Sequence, residues 1–166
     1  VLVINCGSAT LKYKLFRQRA GAELELLAGE TIEVQGGYRE AVERATATLP
    51  ERPDVIAHRV VHGGGRLPEV VAIDRDVLQV LREVTPLAPL HNGPALEGIE
   101  ATLTAGVPLV AAVDTAFHAT LPPRAWRYAL PEVAGVRRYG FHGWSHRYVT
   151  ERYAALAASP EPTIVT

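Results

Sequence analysis

Cysteine is almost absent from this chain of 166 residues, since Cys6 carries its one thiol. One cysteine cannot form an internal disulfide, and this favours a protein of the reducing cytoplasm. Cys6 is better interpreted as a buried or turn-lining thiol than as a nucleophile. Long hydrophobic runs are also lacking, because stretches such as residues 108–113 are strand-sized and fall well short of the roughly 20 residues that a bilayer requires. The first four residues are typical of a buried strand, not of a signal peptide. We therefore expect a cytoplasmic protein with no membrane partner.

An excess of charge of either sign is lacking as well. The formal net charge is −1, so there is no electrostatic reason to expect nucleic acid as a partner. Lysine is scarce, and only Lys12 and Lys14 stand among the 17 basic residues. Both lie on one face of a predicted strand. We interpret Lys14 as part of a solvated strand edge, whereas Lys12 adjoins a glycine turn where a compact ammonium group could meet an anion.

The hydrophobic pattern predicts an α/β domain in which strands and helices alternate. At 48% hydrophobic residues, the chain can bury one good core. The predicted strands are residues 1–5, 10–16, 23–35 with an interruption at Gly29, 54–58 and 108–113. The predicted helices are residues 38–49, 75–84 with Asp74 as cap, Pro94 to about Ala105, and Ser145 to about Ala158.

The end of the sequence indicates a fragment. Residues 159–162 are typical of a linker, and residues 163–166 look like a strand without a partner. We expect one domain over residues 1–150, with the end of a connecting helix and the first strand of a truncated second domain over 151–166.

The turn that joins the first two strands collects groups suited to binding phosphate. Asn5, Ser8 and Thr10 offer polar side chains, and Gly7 allows the main chain to approach an anion closely. The spacing is not that of a P-loop. An ordinary hairpin is the alternative interpretation.

Two charged residues follow apolar strands, at the sheet end where open α/β sheets usually bind ligands. Arg59 stands between a buried strand and a glycine loop, and its planar fork suits a carboxylate or a phosphate. A surface salt bridge is the alternative for Arg59. Asp114 could hold Mg²⁺ through water, orient Arg59, or cap the following turn.

Five motifs, in this order, closely resemble the acetate kinase family. They are residues 5–12, 58–64, 88–92, 113–118 and 138–143. The resemblance implies the superfamily of acetate and sugar kinases, Hsp70 and actin, in which two ribonuclease-H-like domains, each a mixed sheet flanked by helices, close over ATP. This chain would cover the first domain. It also implies Mg²⁺ or Mn²⁺, a homodimer, and reversible transfer of phosphate from ATP to acetate, giving ADP and acetyl phosphate.

The resemblance also implies a role for each matching position. The nucleotide phosphates would contact Asn5, Ser8, Thr10 and Lys12, with Asn5 also at the metal. The acid would contact Arg59, Val61, Leu90, His91 and Phe141. Catalysis would depend on Arg59, Asp114 and His142, and Arg137 would support the transition state together with His142. The chain departs from the family pattern at Ala9 and Trp144.

Three alternatives remain open on the sequence alone. Propionate and butyrate kinases share the family plan, and a non-catalytic module of the actin-like fold would keep the domain without the reaction. A histidine-dependent hydrolase or metalloprotein is the third, since His142 and His146 have the spacing of a zinc-binding helix. Gly143, however, stands where the corresponding protease motif requires glutamate. In the kinase interpretation, we expect residues 1–166 alone to be inactive, because a two-domain kinase must close to assemble its charges.

Overall fold

The computed structural model describes residues 1–21, 23–131 and 136–157. In this part of the chain six strands form one mixed sheet with the order β3-β2-β1-β4-β6-β5. The strands are β1 Leu2–Cys6, β2 Thr10–Arg17, β3 Glu25–Glu33, β4 Ile56–Val60, β5 Val70–Ala72 and β6 Leu109–Val113. Strands β1, β4 and β6 are parallel, whereas β2, β3 and β5 run antiparallel to their neighbours. The order β3-β2-β1-β4-β6 confirms the predicted ribonuclease-H-like domain, and β5 extends it by one edge strand that was not predicted.

The helices were largely predicted in place, with differences at their ends. The α-helices are α1 Tyr38–Ala47, α2 Arg75–Val84, α3 Pro89–Thr102, α4 Pro123–Trp126 and α5 Gly143–Ala157. Short 3-10 helices cover Thr85–Leu87 and Asp114–Thr120. The predicted cap of α2 is confirmed, because the side chain of Asp74 accepts a hydrogen bond from the backbone N–H of Val77 at 2.8 Å.

The core lies between one face of the sheet and helices α1, α2 and α3. Alternate residues of β1 and β2 are buried, as expected for strands with one face against helices. Helix α3 approaches β1 closely at Gly98, where an added Cβ would lie 2.5 Å from the sulfur of Cys6. Burial raises the pKa of the Cys6 thiol to about 12. Cys6 is therefore a packing residue, as predicted.

Three predicted boundaries were wrong, namely the interruption of β3 at Gly29 and the starts of α3 and α5. Strand β3 is not interrupted at Gly29, which pairs with Lys14 of β2, and the irregularity lies instead between Leu15 and Phe16. Helix α3 begins at Pro89 and contains Pro94, because the backbone N–H groups of the turn after Pro89 already donate to the carbonyl of Ala88.

Helix α5 differs from its prediction in the same way. It begins at Gly143, so Ser145 lies within the first turn and is not its cap. The backbone N–H of His146 donates to the carbonyl of His142 at 3.0 Å, which closes that first turn. Residues 158–166, which include the predicted linker and final strand, lie outside the described residues.

Candidate functional site

Three of the predicted site residues meet at one edge of the sheet. Asn5 lies near the end of β1, Arg59 near the end of β4, and Asp114 directly after β6. Because these three neighbouring strands are parallel, their carboxyl ends lie side by side. The sheet therefore collects the three side chains at the end where open α/β sheets bind ligands.

Arg59 and Asp114 form the central ion pair of this edge. The Nη2 atom of Arg59 donates to Oδ2 of Asp114 at 2.5 Å, and its Nε lies 3.2 and 3.3 Å from the two carboxylate oxygens. Nη1 of Arg59 points to Oδ1 of Asn5 at 3.4 Å. The Asp114 side chain is 1% exposed, whereas that of Arg59 is 32% exposed. The buried carboxylate thus fixes the guanidinium and leaves part of it open to a ligand.

The turn after β1 presents its polar groups beside this ion pair. Gly7 donates its N–H to the carbonyl of Thr10 at 2.8 Å, which closes the hairpin. The hydroxyl of Tyr38, at the start of α1, donates to the carbonyl of Gly7. Ser8 is exposed at the tip, and Thr10 is partly buried. The turn is therefore held in place by α1, while its tip remains exposed to solvent.

Lys12 lies directly across the hairpin from Asn5. The two residues are paired in the antiparallel register of β1 and β2, so both side chains stand on the same face of the sheet. A cleft of about 430 Å³ is lined by both of them, together with Lys14 and Thr31. A cation and a neutral amide thus share one open face, next to the turn.

His62 contacts or adjoins the segments that carry Val61, Leu90 and Phe141, the apolar residues predicted to contact the acid. Val61 immediately precedes it in the chain, and the rings of His62 and Phe141 lie 6.0 Å apart. The backbone N–H of His62 donates to Oδ1 of Asn92 at 3.0 Å, and Nδ2 of Asn92 donates to the carbonyl of His62 at 2.8 Å. Asn92 lies one turn into α3, two residues after Leu90. His62 therefore links three segments that are distant in sequence.

The two histidines predicted to take part in substrate binding or catalysis, His91 and His142, are both exposed. His91 lies in the first turn of α3, and His142 immediately precedes α5. His142 has a backbone φ of 56°, a left-handed conformation that is uncommon for a residue with a side chain. Its neighbour Gly143 packs so closely that an added Cβ would lie 2.3 Å from the carbonyl oxygen of Asp114. This contact places residue 142 at the same sheet edge as the ion pair.

Arg137 does not join the ion pair. Its guanidinium lies between two aromatic rings, 4.5 Å from the centre of Trp126 and 4.8 Å from the centre of Tyr139. Its Nη1 atom faces Gly65, at 3.8 Å from where a Cβ of that residue would stand. Such stacking stabilises a cation without hydrogen bonds. In this arrangement Arg137 supports the loop that carries Tyr139 and Phe141.

The remaining histidines have structural partners. Nε2 of His58 lies 2.9 Å from the hydroxyl of Thr102, and burial lowers the pKa of His58 to about 4. Burial also lowers the pKa of His62. His118 pairs through Nε2 with the carbonyl of Phe141 at 3.0 Å, and its ring lies 5.9 Å from that of His146. These side chains hold elements together around the candidate site.

A metal ion would find few ligands on the described residues. No group of three or more His, Cys, Asp or Glu side chains within residues 1–21, 23–131 and 136–157 could hold one. Both carboxylate oxygens of Asp114 are engaged by Arg59, which disfavours direct coordination by Asp114. The amide oxygen of Asn5 is a hard ligand, and it faces Arg59 only at 3.4 Å. Asn5 fits a Mg²⁺ ion that keeps most of its water and is bound mainly by substrate phosphates.

The helices that the structure describes include none that combines the length and the hydrophobicity needed to cross a membrane.

Comparisons with known proteins agree on one family. The sequence model of the acetokinase family matches residues 37–165. The acetate kinase of Thermotoga maritima is 40% identical over 94% of this chain and 47% of its own length. That of Pseudarthrobacter chlorophenolicus is 42% identical over 96% of this chain and 47% of its own length. The chain thus spans about half the length of the curated relatives it matches.

Solved structures give the same result. The crystal structure of Porphyromonas gingivalis acetate kinase aligns with a TM-score of 0.79 and 34% identity, over 95% of this chain and 48% of that one. A propionate kinase from Francisella tularensis aligns with a TM-score of 0.77 and 31% identity, over 96% of this chain and 49% of that one.

Proposed function

This chain belongs to the acetokinase family, and we propose that it forms the first domain of a two-domain enzyme that phosphorylates acetate with ATP, giving ADP and acetyl phosphate reversibly. The observation that carries the proposal is the Arg59–Asp114 pair, in which a buried carboxylate holds a partly exposed guanidinium beside Asn5. A guanidinium fixed in this way is suited to a carboxylate or a phosphorylated carboxylate. The polar hairpin turn beside it is suited to the phosphates of ATP.

The proposed reaction requires no general base. Acetate is ionised at neutral pH, so a carboxylate oxygen attacks the γ-phosphorus as the bond from phosphorus to the ADP oxygen breaks. Arg59 would align the acetate and neutralise its charge, and Asp114 would keep Arg59 in place. His142 would donate a hydrogen bond to an equatorial phosphoryl oxygen. Catalysis would consist of alignment and charge stabilisation.

The nucleotide would bind along the hairpin. Its phosphates would meet the turn of Ser8 and Thr10, and Lys12 would supply a compact positive charge. Asn5 would contact the hydrated Mg²⁺ or Mn²⁺ that accompanies ATP, and that ion would neutralise phosphate charge. We further propose a cytoplasmic homodimer.

The proposed acyl pocket is formed by Val61, Leu90 and Phe141, with His91 at its edge. The first two side chains stand on segments that are joined through His62 and Asn92. Leu90 is 73% exposed and Phe141 is 42% exposed, which leaves apolar surface for a methyl group and for a slightly longer chain. Phosphorylation of propionate is therefore a second candidate, supported by the similarity to the propionate kinase of Francisella tularensis.

The test is a phosphotransfer assay on a complete enzyme, meaning these 166 residues joined to the second half of an acetate kinase. We expect ADP release that depends on acetate and Mg²⁺, with formation of acetyl phosphate trapped as the hydroxamate. The same assay with propionate and butyrate ranks the acids. A folded complete enzyme that transfers no phosphate to any of the three would refute the proposed function.

A further inference from the structure

We propose that Asn92 is a positioning residue for the acid substrate, which sets the spacing between the loop of Val61 and the first turn of α3. The inference rests on the proposed function, since Leu90, His91 and Val61 are the substrate-binding residues of that proposal. Asn92 ends one of the five matching motifs, but the resemblance gave it no role, and its side chain is buried. The proposal is based on its two hydrogen bonds to the backbone of His62.

The contact between Asn92 and His62 fixes both position and orientation. Oδ1 of Asn92 accepts from the His62 N–H at 3.0 Å, and Nδ2 donates to the His62 carbonyl at 2.8 Å. Rotation of the amide by about 180° would set donor against donor and acceptor against acceptor. Both residues are 2% exposed, so water cannot replace either bond without opening the structure. The amide therefore holds the loop after β4 at one distance from α3.

His62 connects the Asn92 contact to the other residues of the proposed pocket. Its Nδ1 atom accepts a hydrogen bond from the N–H of Gly64 at 2.9 Å, which fixes the ring. The ring then contacts Tyr139 at 4.4 Å and Phe141 at 6.0 Å between centroids. A shift of Asn92 would consequently move Val61 and Phe141 relative to α3.

The first turn of α3 depends on such a contact more than an ordinary helix does. Pro94 lies inside the helix and has no N–H to donate to the carbonyl of Leu90. Leu90 is itself 73% exposed and gains little from burial. Asn92 is the buried residue between them, and it connects this turn to the loop of Val61. The Asn92 amide thus helps to hold the first turn of α3 in place, a role that the hydrogen bonds within a helix usually have.

The experiment compares two variants of the complete enzyme that each break one buried contact between α3 and the β4 segment. Asn92→Leu removes both amide hydrogen bonds while keeping the number of side-chain heavy atoms and the branching at Cγ. Thr102→Val removes the hydroxyl that lies 2.9 Å from Nε2 of His58, at the far end of the same helix. Thr102 is 3% exposed and His58 is 1% exposed, so the control loses a contact of similar burial outside the proposed pocket.

We expect Asn92→Leu to raise KM for acetate by at least about 10-fold, because misplacement by about 1 Å can cost on the order of 10²-fold. KM for ATP should stay within about 2-fold, and the preference between acetate and propionate should change. Thr102→Val should lower the melting temperature and leave both KM values and the preference unaltered.

Three outcomes would overturn the inference. The first is equal increases of both KM values in Asn92→Leu, and the second is unaltered acid kinetics in that variant. The third is the same change of acid preference in Thr102→Val, since it would show that any loosening of α3 has this effect. If the unsubstituted complete enzyme is inactive on every acid, the proposed function fails and takes the inference with it, whereas an active parent with any of the three results refutes the inference alone.

Discussion

Arg59→Ala is the substitution that tests the candidate site most directly. Arg59 donates to Asp114 from two nitrogens, with Nε shared between both carboxylate oxygens and Nη2 bonded to Oδ2, and it points its third nitrogen, Nη1, toward Asn5. Its removal has two separate effects. The acid loses its proposed charged partner, and the carboxylate of Asp114 loses the partner that neutralises it at 1% exposure.

The magnitude of each effect follows from burial. A hydrogen bond from a charged donor contributes about 1.5–3 kcal/mol, so KM for acetate should rise roughly 10- to 150-fold. Breaking a buried ion pair by removing one partner costs about 3–5 kcal/mol. Because the Arg59 side chain is 32% exposed, water can enter the space it leaves, and we expect a loss of about 2–3 kcal/mol. For a domain of about 150–250 residues that corresponds to a fall in Tm of roughly 4–12 °C, and the fall in the longer complete enzyme should be smaller.

A second substitution separates the two effects. Adding Asp114→Asn to Arg59→Ala replaces the unpaired carboxylate with a neutral amide of the same shape. Most of the lost stability should return, while KM for acetate should stay high. Arg66→Ala serves as control, since Arg66 pairs with Glu83 at 2.5 Å but both side chains are over 40% exposed, and such pairs contribute about 0–1 kcal/mol.

The assay combines thermal unfolding with steady-state kinetics on the complete enzyme, for acetate and ATP separately. Equal loss of acetate and ATP binding would give Arg59 a structural role. A double variant as unstable as Arg59→Ala would show that the buried charge of Asp114 is not the source of the instability. Either result would refute the proposal that Arg59 has two separate roles, binding the acid and neutralising Asp114.

Other parts of the structure lead to four more predictions. His142→Ala should lower kcat and kcat/KM together by about 10²- to 10³-fold with both KM values near normal, and a fully active variant would end that assignment. Val61→Ala should shift preference toward propionate or butyrate by at most about 10- to 200-fold, and an unchanged ratio of kcat/KM values would remove Val61 from the pocket. Residues 1–166 alone should transfer no phosphate to acetate, which turnover at the rate of the complete enzyme would contradict. Burial lowers the pKa of His58 from 6.5 to about 4. As the pH falls, His58 is therefore protonated in the unfolded chain before it is protonated in the folded chain, and the folded chain should lose up to roughly 3 kcal/mol of stability between about pH 6.5 and about pH 4. His58→Gln should flatten urea-unfolding free energies over that range, and an unchanged slope would assign the effect to other groups.

The sequence was most informative where a side chain follows a buried strand. Arg59 and Asp114 stand at the ends of apolar segments, and the parallel pairing of β4 with β6 brings such ends together. Pairing of β1 with β4 adds Asn5 to the group. Proximity of these three residues was therefore predictable from the strand pattern, because strand ends in a parallel sheet share one edge.

Helix starts were less predictable, because more than one residue matched the local preference for proline at the first position of a helix. Pro89 and Pro94 both suit a first helical position, and the sequence pattern favoured the second. The structure uses Pro89, since the carbonyl of Ala88 then accepts from His91 and Asn92. The reason is tertiary, because starting at Pro89 places Asn92 where its amide meets the backbone of His62. Such a contact has no signal in local sequence.

Close backbone approach explains a second group of missed features. The pattern treated Gly143 as a residue that precedes a helix, whereas the structure uses its missing side chain to seat α5 on the carbonyl of Asp114. Gly140 does the same against the ring of His118, where an added Cβ would lie 2.6 Å away. Both glycines flank the Phe141–His142 pair, so the loop is held against the end of β6 at two points. This double contact fixes the backbone of His142 at the sheet edge where Asp114 lies, in spite of its left-handed conformation, and any larger residue at 140 or 143 would displace the proposed phosphoryl donor without touching it.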